Sequence, residues 1–109
     1  MPIVQWLAEI PDKARDKCVT KLLRLRQLGH ELRRPEADLL RDGIYELRVD
    51  LRGIHYRILY FFHGNIAAVV SHGLTKERAV PPTEIDRAIR RREQFLSNPE
   101  LYAAELDDA

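Results

Sequence analysis

Residues 44–62 change sides at every position, in two consecutive runs. Tyr45, Leu47, Val49 and Leu51 alternate with Ile44, Glu46, Arg48 and Asp50; after Gly53, Tyr56, Ile58, Tyr60 and Phe62 alternate with His55, Arg57, Leu59 and Phe61. A period of two belongs to an extended strand, whose successive side chains point to opposite faces. Two such runs joined by a glycine turn read as antiparallel neighbours. His63-Gly64-Asn65 predicts the next tight connection, and residues 66–71, rich in Val, Ile and Ala, predict a third, more buried strand. The result is a meander, and a parallel sheet is not what this pattern folds into.

The flanks carry a helical period instead. Ile3, Trp6 and Leu7 predict one or two turns, ended by Pro11. Asp12 is the expected N-cap of a longer helix over residues 12–28. Its stripe is Ala14, Cys18, Leu22 and Leu25, widened by Val19, Leu23 and Leu28, with Lys13, Lys17, Lys21 and Arg24 on another face. Gly29 suits its C-cap. Residues 30–42, with Pro35 and the Asp42-Gly43 pair, read as a loop before the first strand, and residues 73–80 as a loop after the last. Pro81-Pro82-Thr83 opens a final helix over residues 83–96, with Thr83 and Asp86 spaced as a capping box. Ile85, Ala88, Ile89 and Phe95 or Leu96 form its stripe, while Arg87, Arg90, Arg91 and Arg92 read as a solvated face. The expected architecture is α+β: a small antiparallel sheet of three to four strands with the helices packed on one face. Residues 1–98 form a single domain and residues 99–109 an acidic tail.

A chain of 109 residues fits one domain. The lone Cys18 excludes an internal disulfide and a cysteine-based zinc site, and four scattered histidines, of which His63 and His72 read as turn or surface positions, do not suggest a metal centre. No cofactor is expected. No apolar stretch reaches membrane-spanning length, no basic start precedes an apolar run, and the expected location is cytoplasmic. Net charge is +1, yet the tail holds four acids and no base, which leaves 18 bases against 13 acids in residues 1–98. A basic body is compatible with nucleic acid as a partner.

If one sheet face meets the helices, the other is open to solvent. That open face collects Glu46 and Arg48 from one strand and His55 and Arg57 from the next. Lys76 is expected to enter from the loop that also carries Glu77 and Arg78. Cations, a carboxylate and an imidazole on one surface suit a phosphodiester. A plain cross-strand pairing of Arg48 with Glu46, worth under about 1 kcal/mol when exposed, accounts for part of the same pattern.

Several segments, in order, resemble the RelE/HigB superfamily of toxins, and its phage-derived HigB-like branch in particular. They are Leu28-Gly29-His30-Glu31-Leu32 with Pro35, Leu40, Gly43-Ile44-Tyr45-Glu46-Leu47-Arg48, Tyr56-Arg57 with Tyr60-Phe61-Phe62, His72-Gly73-Leu74-Thr75-Lys76, and Glu84-Ile85 before Ala88. The resemblance implies a RelE-like fold and a ribosome-dependent mRNA endonuclease that inhibits translation. It also implies neutralisation by a cognate antitoxin of helix-turn-helix, HigA-like type. The implied chemistry needs no metal: a 2′-hydroxyl attacks the adjacent phosphate and a 5′-hydroxyl leaves. Arg48, Arg57 and Lys76 fall where related toxins carry basic catalytic or phosphate-binding residues, and Glu46, a candidate base, where some carry lysine. His55 and Arg78 join Arg48, Arg57 and Lys76 as RNA- or phosphate-binding candidates. Glu77 stands where many HigB-like relatives have a second lysine. A ParE-like toxin that inhibits DNA gyrase without cleaving RNA, or an inactive partner-binding remnant, is therefore a second implication.

Overall fold

The computed structural model describes residues 2–64, 67–76 and 79–99, and within them the side chains of all but Ala67 and Lys76. The expected acidic tail lies outside the described residues, apart from Pro99. Helices α1 (Pro2–Glu9) and α2 (Asp12–Leu28) come first, followed by a 3-10 turn, Gly29–Glu31. Four strands follow: β1 (Ala37–Arg41), β2 (Ile44–Leu51), β3 (Ile54–His63) and β4 (Ala67–Lys76). Helix α3 (Pro82–Ser97) closes the described chain. The sheet is antiparallel throughout, in the order β1-β2-β3-β4. The α+β class and the meander are as the alternation predicts. No helix among the described residues is long and apolar enough to cross a membrane.

Three local expectations change. Residues 37–41, expected as loop, are an edge strand; five residues with Asp38 and Arg41 among them carry too little alternation to declare it. Strand β4 continues through Gly73 to Lys76, where a loop was expected. Neither long helix is capped as its sequence suggested. Pro11 and Pro81 precede α2 and α3 with no side-chain cap. Asp12 instead pairs with Arg15 at 3.0 Å, and Asp86 takes Arg41 at 2.6 Å. The hairpin turns obey local chemistry. Asp42-Gly43 and Arg52-Gly53 each place two residues at positive φ, the geometry that matches the twist of the flanking strands.

The sheet is covered on both faces, which corrects the one-sided packing expected from the sequence. On one face Leu47, Val49, Tyr56, Ile58 and Tyr60 meet Ile3 and Leu7 of α1 and Ala14, Cys18, Leu22 and Leu25 of α2. On the other, Ile44, Leu59 and Phe61 meet Ile85, Ala88 and Phe95 of α3. The second row is polar over only half its length. Its apolar half has to be buried, and the stripe of α3 is what buries it. Burial among these side chains pushes the Cys18 thiol up to about 11, so it is packing rather than a reactive group. Three of the cations on the polar side of α2 are not free either. Lys17 donates to the Asp50 carbonyl, and Arg24 and Lys21 grip Glu36 beside β1 and hold its carboxyl down at about 2.

Gly73 has a packing reason. The Trp6 ring of α1 lies directly on it, and a Cβ at that position would overlap the indole. Gly73→Ala should therefore lower unfolding free energy by about 1–3 kcal/mol, as overpacking does. Urea unfolding followed by fluorescence of Trp6, the one tryptophan, measures it; an unchanged midpoint would mean that α1 is not seated on β4.

Candidate functional site

Helix α3 covers the Ile44–Leu59–Phe61 half of its face and leaves the polar half beside it. In register, Glu46 lies opposite Leu59, Arg48 opposite Arg57, Asp50 opposite His55, and His55 opposite Lys76. Two arginines directly opposite on neighbouring strands repel unless carboxylates stand between them. Here they do. Glu46 Oε1 is 2.7 Å from Arg48 Nε and 3.8 Å from Arg57 Nε. Asp38 Oδ2 is 3.2 Å from Arg48 and 2.9 Å from Arg34. Asp50 Oδ1 is 2.9 Å from Arg57 Nη1 and 2.6 Å from His55 Nδ1. A continuous ladder results: Arg34, Asp38, Arg48, Glu46, Arg57, Asp50, His55.

The ladder is graded in burial. Glu46 and Arg57 side chains are 5% and 8% exposed, whereas Asp50 and His55 are 55% and 39% exposed. Arg57 was expected to be an open strand position and is not. It lies on an inner strand, its Nη1 also donates to the Tyr56 carbonyl, and its buried Nε has no hydrogen-bond partner. Hydrogen bonding to Arg34, opposed by burial and helped by the charges of Arg34 and Arg48, holds the Asp38 carboxyl below its ordinary range. Burial pushes Asp50 upward, but hydrogen bonds and charge from His55 and Arg57 outweigh it and the net direction is down. Both acids therefore remain charged partners of the row at neutral pH.

Of the residues singled out from sequence, Glu46, Arg48, His55 and Arg57 come together in this row. Lys76 ends β4 on a strand, not on a loop, opposite His55; its side chain, and the whole of Arg78, lie outside the described residues. Sequence reading missed Asp38, which it left in a loop, and gave no role to Asp50, whose place in the alternation was the available signal.

A second polar cluster was also misread. His72, expected at the surface, is 4% exposed. Its Nε2 lies 2.9 Å from Glu84 Oε2 on α3, and its Nδ1 lies 2.8 Å from Ser71 Oγ. The register shift opposite Leu59 and Tyr60 leaves Ser71 as the extra residue of β4. Arg91 Nη1 donates to the Ser71 carbonyl at 3.1 Å and Arg92 to the Asp42 carbonyl, so these two arginines are not a solvated face. With Ser71 itself 5% exposed, the cluster clasps α3 to β4 and offers no open approach to a substrate.

Burial, together with the charges of Arg91 and Arg87 and against the pull of Glu84, pushes His72 below the ordinary imidazole value. The unfolded chain then binds this proton at a higher pH than the folded chain does. Stability from this group is complete above about pH 6.5 and is lost as pH falls towards the folded value. Thermal stability should fall as pH drops below about 6.5, before the lowered carboxylates titrate, and His72→Gln should flatten that decline. An equal slope in both proteins would remove His72 from the clasp.

A model of the family described as phage-derived protein Gp49-like (DUF891) matches residues 5–93, which spans the whole sheet and every residue of the ladder. No curated protein matches the chain.

Proposed function

The chain belongs to the phage-derived Gp49-like family, which is related to the RelE-type toxins of toxin–antitoxin systems, and on that premise we propose that it is a HigB-like toxin that cleaves mRNA on the ribosome. An antitoxin partner follows from the family; we take it to be a helix-turn-helix protein and the site of action to be the cytoplasm, where ribosomes are. The observation that carries the reading is the His55–Asp50 pair, open to solvent at the end of a row of guanidiniums.

The pair suits proton transfer. A hydrogen bond from Nδ1 to Asp50 fixes the imidazole and leaves Nε2 free to take the proton of a 2′-hydroxyl. The O2′–P bond forms, the P–O5′ bond breaks, and the products are a 2′,3′-cyclic phosphate and a 5′-hydroxyl end. Arg48, 30% exposed with its Nη2 shared with Asp38, is the guanidinium placed to meet charge on the phosphorane. Lys76, opposite His55 in the β3–β4 register, is assigned the proton for the leaving oxygen. Arg57 and Glu46 are assigned positioning roles: both are too buried to reach a substrate, and together they hold Arg48 and Asp50 in place.

Regulated expression followed by mapping of mRNA 5′ ends tests the proposal. New 5′-hydroxyl ends inside translated reading frames, absent when translation is blocked and absent on co-expression of the neighbouring gene, are the expected result. Growth arrest without new ends, accompanied by DNA damage, would overturn it in favour of a gyrase-directed toxin.

A further inference from the structure

At the outer edge of the sheet, β1 borders an open groove of about 460 Å³ whose walls include His30, Arg33, Arg34, Asp38, Leu39 and Tyr45. Two of its wall residues, His30 and Tyr45, belong to an aromatic stack. The His30 ring lies 3.6 Å from the Phe62 ring with the planes 21° apart, and Tyr45 meets Phe62 edge-on at 5.1 Å. His30 is nonetheless exposed. The cations here differ from those of the ladder. Arg33 is exposed and has no ion pair among the described residues, and Arg34 is 75% exposed with Asp38 as its partner.

We propose that this groove seats one nucleotide of single-stranded RNA next to the cleavage site, its base stacked on His30 and its phosphate on Arg33 and Arg34. The proposal rests on the reading that the chain takes RNA. A planar ring already backed by another aromatic side chain is a stacking platform that any base fits, and exposed guanidiniums supply the phosphate contact. Continuity with the ladder supports the same occupant. Arg34 and Arg48 share one oxygen, Asp38 Oδ2, so a strand that passes from the stacked ring, on the α1–α2 face, around the β1 edge comes to the guanidinium assigned to the scissile phosphate. An acidic protein segment would use the two arginines but has no need of the stacked imidazole.

Binding of a fluorescein-labelled, 2′-O-methylated hexaribonucleotide of mixed sequence to the purified full chain tests this without cleavage. His30→Ala should weaken binding about tenfold with an unchanged salt dependence. Arg33→Gln should weaken it and lower the slope of log affinity against log salt by about 0.7, the signature of one lost phosphate contact on a single strand. Arg33 is exposed, so this variant tests the groove even if His30→Ala disturbs packing on Phe62. A 4-thiouridine version of the probe should crosslink to His30 or Tyr45. If wild type and both variants bind alike while ribosomal cleavage persists, the groove is not a nucleotide site and the RNA reading stands. Loss of antitoxin capture by Arg33→Gln with RNA binding intact would make the groove a protein surface instead. Failure of the wild-type chain both to bind and to cleave RNA would overturn both readings together.

Discussion

Arg57→Ala should cost the fold about 3–5 kcal/mol, a large share of what a domain of this size has. Arg57 is 8% exposed on its side chain and is the partner of Asp50 at 2.9 Å and of Glu46 at 3.8 Å. Truncation leaves Glu46, itself 5% exposed, with Arg48 alone and deletes a buried cation from between two acids. The loss belongs to the buried Glu46 left with only one of its two cations more than to the contact removed. A double variant, Arg57→Met with Glu46→Gln, should therefore recover much of it, because both ends of the buried interaction are then neutral. Chemical denaturation of the single and double variants measures the coupling. A single variant as stable as wild type would mean that the guanidinium is not held as described. Loss of toxicity in Arg57→Ala would by itself say nothing of catalysis, since an unfolded toxin is also harmless.

His55→Ala should show the opposite division: a rate loss of about 10²–10⁴ with little change in stability. The imidazole is 39% exposed and its partner among the described residues, Asp50, keeps Arg57 when the ring is gone. Exposed substitutions of this kind stay within about 0.5 kcal/mol. Single-turnover cleavage on programmed ribosomes gives the rate, and binding of a non-cleavable RNA should stay near wild type, because His55 is assigned the proton and not the grip. His55→Gln keeps a hydrogen bond to Asp50 but no basic nitrogen, so it should be as inactive as alanine. Asp50→Asn should fall between, with the imidazole present but poorly oriented. Cleavage by His55→Ala at the wild-type rate would move the base elsewhere in the row.

Much of the fold was legible because burial writes itself into sequence at the period of each element. The alternation of Tyr45, Leu47 and Val49 and of Tyr56, Ile58 and Tyr60 defined two strands and the face they bury. The stripes of Ala14, Cys18, Leu22 and Leu25 and of Ile85, Ala88 and Phe95 defined two helices. Less visible was β1, whose few residues alternate weakly, and invisible was the role of Gly73, which depends on where the Trp6 ring comes to lie. Which face each helix covers is not a local property. Leu59 and Phe61 on the row otherwise occupied by Glu46, Arg48 and Arg57 were the sign that this row also needed a cover.

Local pattern is enough to say which residues share a row, since strand geometry alone places Glu46 with Arg48 and His55 with Arg57. It could not rank them. Exposure and partnership depend on groups brought from elsewhere in the chain: Asp38 from an edge strand, Asp50 folded against both Arg57 and His55, and α3 laid over half the face. Tertiary structure turned Arg57 from a presumed open cation into a buried strut and left His55 part-exposed and paired through Nδ1 with Asp50. It likewise took His72 from the surface into a clasp with Glu84. The physical reason is that a side chain's chemistry is set by its dielectric surroundings and its nearest charges, which long-range packing supplies and local pattern does not.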